Sequence, residues 1–230
     1  MRIFYILIFF LCVSYSFDYP DFDIRINNNP YPEDIFIHST TPGGVQFMAV
    51  LDTALNVKWH IVSTGGNGWD FKVNNNSMIT YFHKPSNSWT PSGGGSWYVM
   101  NDRMEHFDTL KAINGYNADY HDIQYTDNGG YILQSYGLEE IDMFQTEGRD
   151  TAKILILQEF DHQHNLVMQW KNSDYMDIQN YADDLNLLSP YRAWTHGNSI
   201  EIDIDQHIIV SNRAMSELIK FNRQSGELIW

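Results

Sequence analysis

The chain has 230 residues, with 14 Lys and Arg against 29 Asp and Glu, a formal net charge of −15 at pH 7 and a single cysteine. So acidic a molecule repels nucleic-acid phosphates and anionic lipid, which excludes both as expected partners. One cysteine rules out an internal disulfide and any thiolate metal cluster, and the length suffices for one domain with a substantial core.

Residues 1–16, MRIFYILIFFLCVSYS, read as a secretory signal peptide. Arg2 supplies a positive start, Ile3–Val13 an apolar stretch, and Ser14 and Ser16 the small residues of a cleavage site. The apolar run is shorter than the roughly 20 residues a spanning helix needs, and Leu11 before Cys12 is too large for a lipoprotein signal. Cys12 leaves with the leader, so the exported chain carries no thiol, which suits the periplasm or the extracellular space. The expected layout is a leader at 1–16 and one domain at 17–230, with no stable membrane insertion after cleavage.

No long stretch then shows a helical period. Short alternating segments rich in aromatic and β-branched residues follow: Ile35–Ser39, Val45–Leu51, Val57–Val62, Ser77–Phe82, Trp97–Met100, Ile123–Tyr125, Tyr131–Ser135, Ile154–Phe160, Leu166–Trp170, Ile200–Ile204, Ile208–Ser211, Leu218–Phe221 and Leu228–Trp230. Turn residues separate them, as at Asp127-Asn128-Gly129-Gly130 and Gln224-Ser225-Gly226, and Ser86–Ser96 (SNSWTPSGGGS) reads as a flexible loop. The chain is expected to be all-β.

A repeat underlies these segments. FMAVLDTALNVKW, WYVMNDRMEHFDTL, LILQEFDHQHNLVMQW and LIKFNRQSGELIW each place an apolar strand, a polar turn and a second strand, anchored on Asp52, Asp102, Asp161 and Asn222. Steps of roughly 50 to 60 residues with about four strands per unit are the signature of propeller blades. The expectation is therefore a β-propeller of four-stranded blades, incomplete, with about three to three and a half blades present. The unit ending at Trp230 stops after one hairpin, which suggests a fragment of a longer protein.

Two stretches hold the residues suited to chemistry. Gly115–Tyr136, GYNADYHDIQYTDNGGYILQSY, has a Gly-Tyr, then His121 followed by an acidic residue, then a strand–turn–strand. Trp194–Trp230 has His196, Asn198 and Ser199 before a strand, Asn212-Arg213 at the end of the next one, and a hairpin ending Gly-Glu-Leu-Ile-Trp. In this order and at this spacing, from about Tyr31 onward, the chain resembles the arylsulfotransferase family, secreted β-propeller enzymes that move sulfate between phenols without a nucleotide donor. Such a reaction needs a nucleophile to hold the sulfuryl group, cationic donors for its oxygens and an acid/base for the phenol. Imidazole serves as nucleophile or acid/base near neutral pH, and guanidinium grips oxyanions without losing its charge.

By resemblance, His121 and His196 match the family's two assisting histidines, Arg213 its arginine and Asn198 the Asn of its His-x-Asn-Ser element. Trp194, with Trp89 and Trp97 as weaker candidates, would line a phenol pocket or simply pack in the core. At the equivalent place in the first repeat, Trp69-Asp70-Phe71 is read as a wall. The competing role for each histidine is a structural tie between loop and strand, and for Arg213 a surface ion pair. The family's nucleophilic histidine follows the hairpin at which this chain ends, so it is expected beyond residue 230 and the chain alone is expected to be inactive. No metal or nucleotide cofactor is implied, and the expected partners are phenols and aryl sulfates. The remaining candidates are weaker: His162 and His164 look like a solvated turn, Asp203 and Asp205 only loosely resemble a calcium loop, and Asp183-Asp184 reads as a solvated pair. A non-catalytic secreted propeller that binds a ligand is the competing function.

Overall fold

The computed structural model describes residues 23–40, 44–63, 67–85, 94–141, 150–177 and 195–230. The leader at 1–16, Trp89, Asp183, Asp184 and Trp194 lie outside them.

Four antiparallel sheets succeed one another along the chain, each a meander in which sequence neighbours pair. The first holds β1 (Ile35–Thr40), β2 (Gln46–Leu51) and β3 (Val57–Ser63). The second holds β4 (Asn67–Val73), β5 (Ile79–His83), β6 (Ser96–Met100) and β7 (His106–Leu110). The third holds β8 (Asn117–Tyr125), β9 (Tyr131–Ile141), β10 (Asp150–Phe160) and β11 (Leu166–Lys171), and the fourth β12 (Gly197–Ile202), β13 (Ile208–Asn212) and β14 (Glu217–Phe221). Among the described residues, fourteen strands in sheets of three, four, four and three make an incomplete β-propeller, as the periodicity of the sequence indicates. Among the described residues the only helical pieces are short 3-10 turns, and no helix is long and apolar enough to cross a membrane.

The repeat is written in its turns. Asp52, Asn101 and Asp161 each accept, on one side-chain oxygen, the backbone N–H groups two and four residues on. In each turn the third residue after the anchor is left-handed: Leu55, Met104 and His164, with φ of 67°, 62° and 63°. The second anchor is thus Asn101, one residue before the Asp102 that sequence alignment selects, because the carbonyl of its side-chain amide does the same work as a carboxylate oxygen. Asn222 caps the fourth hairpin similarly through Gln224 and Ser225. A second family of turns joins the first two strands of the later sheets, with left-handed Ser77, Gly129 and Gln206 at matching positions.

These two turn types fix each strand's place. β2–β3, β6–β7 and β10–β11 are the third and fourth strands of their blades, whereas β4, β8 and β12 are the first strands of theirs. β8 touches both β4 and β12, so the first strands meet one another. β4 is missing from the strand reading of the sequence because Asn67-Gly68-Trp69-Asp70 does not alternate, and its register against β5 slips twice. Leu228–Trp230 contributes one bridge, Phe221 to Leu228, and hydrogen bonds between Lys220 and Ile229 and Trp230.

The core lies between blades. Leu155, Leu157 and Ile132 of the third blade pack on Ile200, Val210 and Phe221 of the fourth, all buried. Trp170 stacks on Phe221 at 4.4 Å and donates its indole N–H to the Gly226 carbonyl, so its polar tip is satisfied. Nearer the axis, Asp122 ties three blades together: Oδ2 accepts the Ile200 N–H of β12 at 2.7 Å and Oδ1 accepts Lys72 Nζ of β4 at 2.5 Å. Lys72 also reaches Asp70 at 2.7 Å, and the two carboxylates raise its pKa against the opposing effect of burial. Asp203 and Asp205, whose spacing loosely suggested calcium, instead each hold Lys220 Nζ at 2.6 Å.

Candidate active site

The first strands are irregular where they approach the axis. Between the pairs Ala118–Ser135 and Ile123–Leu133, β8 advances five residues while β9 advances two. The surplus residues bulge out of the ladder, a device that re-aims side chains beside functional sites. Asp119, Tyr120, His121 and Asp122 stand opposite Gln134 alone, so three of these four are surplus. The sequence places His121 just ahead of a strand; it lies inside one, on this bulge. β12 has a smaller slip between Gly197 and Ser199, directly after His196.

The two irregularities bring the histidines together. His121 Nε2 lies 3.1 Å from His196 Nε2, with the rings nearly perpendicular at 74°. On its other side His121 Nδ1 lies 2.5 Å from Asp119 Oδ1, which also accepts the His121 backbone N–H. Because the carboxylate only accepts, Nδ1 carries the hydrogen, and the Nε2 atoms of the two histidines share a single proton between them. The order is carboxylate, imidazole, imidazole.

His196 is fixed through its backbone. Its N–H donates to Asn212 Oδ1 at 2.9 Å, and its carbonyl accepts the Arg213 N–H at 2.8 Å. Asn212 is buried at the end of β13, and Arg213 opens the 3-10 turn Arg213–Met215 with its side chain exposed. Partial burial, then the positive charges of His121, Lys153 and Arg213, lower the His196 pKa to about 4, with Asp119 opposing. At neutral pH His196 is therefore an uncharged imidazole.

Aromatic rings extend from the pair. Tyr120 stacks on His121 at 4.3 Å and meets Trp69 of β4 at 5.1 Å. Trp69 thus stands as a wall on the first-strand side, where the sequence places one. Burial, then Asp119, raises the Tyr120 pKa, and Arg213 lowers it. Across the site, Tyr136 of β9 donates its hydroxyl hydrogen to the Gly197 carbonyl at 3.2 Å, and Lys153 Nζ of β10 sits 4.1 Å from the centre of its ring.

The structure therefore gathers His121, His196 and Arg213 from three segments into one cluster. Asn198 lies exposed on β12, two residues after His196, and Trp194 lies outside the described residues. Sequence reading missed Asp119 and Lys153, and quoted Asn212 in a motif without giving it a role. The signals were present: an Asp-x-His spacing at 119–121, an Asn before the chosen Arg, and a lone lysine heading the apolar run Ile154–Leu157. His164, read as a solvated turn, lies 3.1 Å from the Tyr131 hydroxyl through Nδ1 and 3.5 Å from Asp108 through Nε2.

A family model described as Arylsulfotransferase (ASST) matches residues 25–230. The chain belongs to the arylsulfotransferase family. The match spans both histidines, Arg213 and all four sheets. Among solved structures the chain is similar to a protein of unknown function from Bacteroides caccae, determined at 1.35 Å resolution. The TM-score is 0.51 at 9% identity, over 87% of this chain and 57% of that one. That likeness concerns the fold alone, and the chain spans little more than half of the other's length. No curated protein matches.

Proposed function

We propose that this chain carries the assisting half of a sulfuryl-transfer site that moves sulfate from an aryl sulfate to a phenol by a ping-pong route. The observation that carries the reading is the Asp119–His121–His196 relay with Arg213 beside it. In the first step an imidazole nitrogen attacks the sulfur, the S–O bond to the phenol breaks, and the departing oxygen takes a proton from the relay. In the second, the relay removes the proton of an acceptor phenol, whose oxygen attacks the sulfur as the S–N bond breaks. Asp119 holds the His121 tautomer that leaves the shared proton between the Nε2 atoms, and Arg213 offers its fork to sulfuryl oxygens. Asn198 is assigned to substrate contact, and Trp69 and Tyr120 to the phenol ring.

The family resemblance implies a sulfur-bearing histidine distinct from His121 and His196, which this reading uses for proton transfer. Export is proposed on the leader read at residues 1–16; a product retained inside the cell and still beginning at Met1 would count against it.

The test uses the full gene product, a 4-nitrophenyl sulfate donor and a phenol acceptor. His196→Ala, His121→Ala and Arg213→Ala are each expected to lower kcat/KM by about 10²–10³-fold, the usual cost of one transition-state donor. Turnover indifferent to all three would place the catalytic groups elsewhere, and turnover absent from the wild type would favour a ligand-binding propeller.

A further inference from the structure

Lys153 is the least expected residue of the cluster. It lies within β10, just before the apolar run Ile154–Leu157, and is 9% exposed. Among the described residues its ammonium makes no hydrogen bond and no ion pair; its one direct contact is the face of Tyr136. The Tyr136 hydroxyl is already given to Gly197, so that ring stays in place beneath the charge. A charge held out of water with its N–H groups unspent is costly, and proteins retain one where something else completes it.

The surroundings are unsatisfied too. Gln134, fully buried, uses neither end of its amide, the fully buried Thr195 hydroxyl makes no bond, and Asp119 Oδ2 is idle while Oδ1 serves His121. All three adjoin the histidine pair: Thr195 precedes His196, Asp119 bonds His121, and Gln134 Oε1 lies 2.3 Å from where a Cβ on Gly197 would stand. Lys153 is close enough to His196, Arg213 and Asp119 for their charges to bear on one another. Buried Lys153 and exposed Arg213 bring positive charge here, and among the described residues the anion that bears on Lys153 is Asp119, whose near oxygen is engaged.

We propose that Lys153 is a further catalytic cation of this site, donating to a non-bridging oxygen of the sulfuryl group from the buried side while Arg213 approaches from the exposed side. The inference rests on the sulfuryl-transfer reading and adds a residue to it. Two cations on opposite sides hold a tetrahedral oxyanion in a fixed orientation, with the ester oxygen turned to the histidine relay.

Inorganic sulfate is the probe, titrated calorimetrically at low ionic strength into the full gene product and its variants. Lys153→Met is expected to weaken sulfate binding by roughly 10- to 100-fold, as loss of a charged hydrogen-bond donor does. Lys153→Arg should restore most of it, and the melting temperature of Lys153→Met should equal or exceed that of the wild type, because an unpaired buried charge has been replaced by an apolar chain of similar length. Sulfate binding unchanged in Lys153→Met but lost in Arg213→Ala would overturn the role of Lys153 and leave the sulfuryl-transfer reading standing. A lowered melting temperature in both Lys153 variants, with binding normal in the folded fraction, would make the lysine structural and overturn the inference. A wild type that binds no sulfate and transfers none would remove both.

Discussion

His196 is held neutral by its setting, and that has a measurable consequence. Its pKa lies near 4 in the folded protein because of burial and three neighbouring cations, against the ordinary value of 6.5 in the unfolded chain. The unfolded state therefore takes up a proton first as pH falls, so His196 contributes a loss of stability that begins below about pH 6.5 and levels off below about pH 4. Urea midpoints measured between pH 4 and 7 should fall less steeply for His196→Gln than for the wild type, and an NMR titration should place the His196 midpoint near 4. A midpoint near 6.5 would mean that neither burial nor the neighbouring charges lower it. Asp119 acts at the same scale through a different quantity. Asp119→Asn leaves a side chain of the same shape but allows the other His121 tautomer, so kcat should drop while KM changes little, by about 10²–10⁴-fold for impaired acid–base catalysis. An equal rise in KM would instead mark Asp119 as a binding group.

Turns and bulges are the elements that turn a regular repeat into this site. Gln206 holds a left-handed conformation, φ 64°, at the position where the equivalent turn of the third blade has Gly129. A side chain there costs about 1–2 kcal/mol relative to the right-handed region, and Gln206 is exposed with little to offset it. Glycine's greater freedom in the unfolded chain takes back about 0.4–1 kcal/mol of that, so Gln206→Gly should give a net gain of up to about 1 kcal/mol in urea denaturation, without any change at the histidine pair at the other end of β12. Asp122 is the opposite case. One carboxylate serves both the Ile200 N–H and Lys72, so Asp122→Ala leaves a buried amide unpaired and Lys72 with Asp70 as its one remaining carboxylate partner. The expected loss is about 2 kcal/mol, the scale for a buried hydrogen-bonding group left unsatisfied. A loss well under 1 kcal/mol would mean that water replaces the tie.

The molecule as a whole is a succession of blades whose stability lies in the surfaces between them. The hairpin after β14 is attached to the third blade through Trp170, which stacks on Phe221 and bonds the Gly226 carbonyl, while Tyr175 donates its hydroxyl hydrogen to the Ser225 carbonyl. Trp170→Ala should cost about 3–5 kcal/mol, as truncation of a buried tryptophan does. It should also speed amide exchange in β13 and β14 more than in β4–β7, because the damage lies between the third and fourth blades. Uniform acceleration across the chain would show instead that all the blades unfold as one unit.

The sequence by itself determined the all-β class, the hairpin repeat and the family resemblance, and it singled out His121, His196 and Arg213 as candidates. These depend on local alternation, turn residues and motif order, which are properties of neighbouring residues. It misjudged β4 and the second anchor, because bulged strands lose their period of two and because Asn and Asp cap the same turn equally well. It could not supply the 3.1 Å contact between His121 and His196, residues from successive blades aimed at each other by two bulges of unequal size. Nor could it distinguish Lys153 from any lysine at the start of a strand, or Asp122 from any acid beside a histidine. Whether a charge is buried, paired or left open is decided by which blade surfaces face it, and only the tertiary structure sets that.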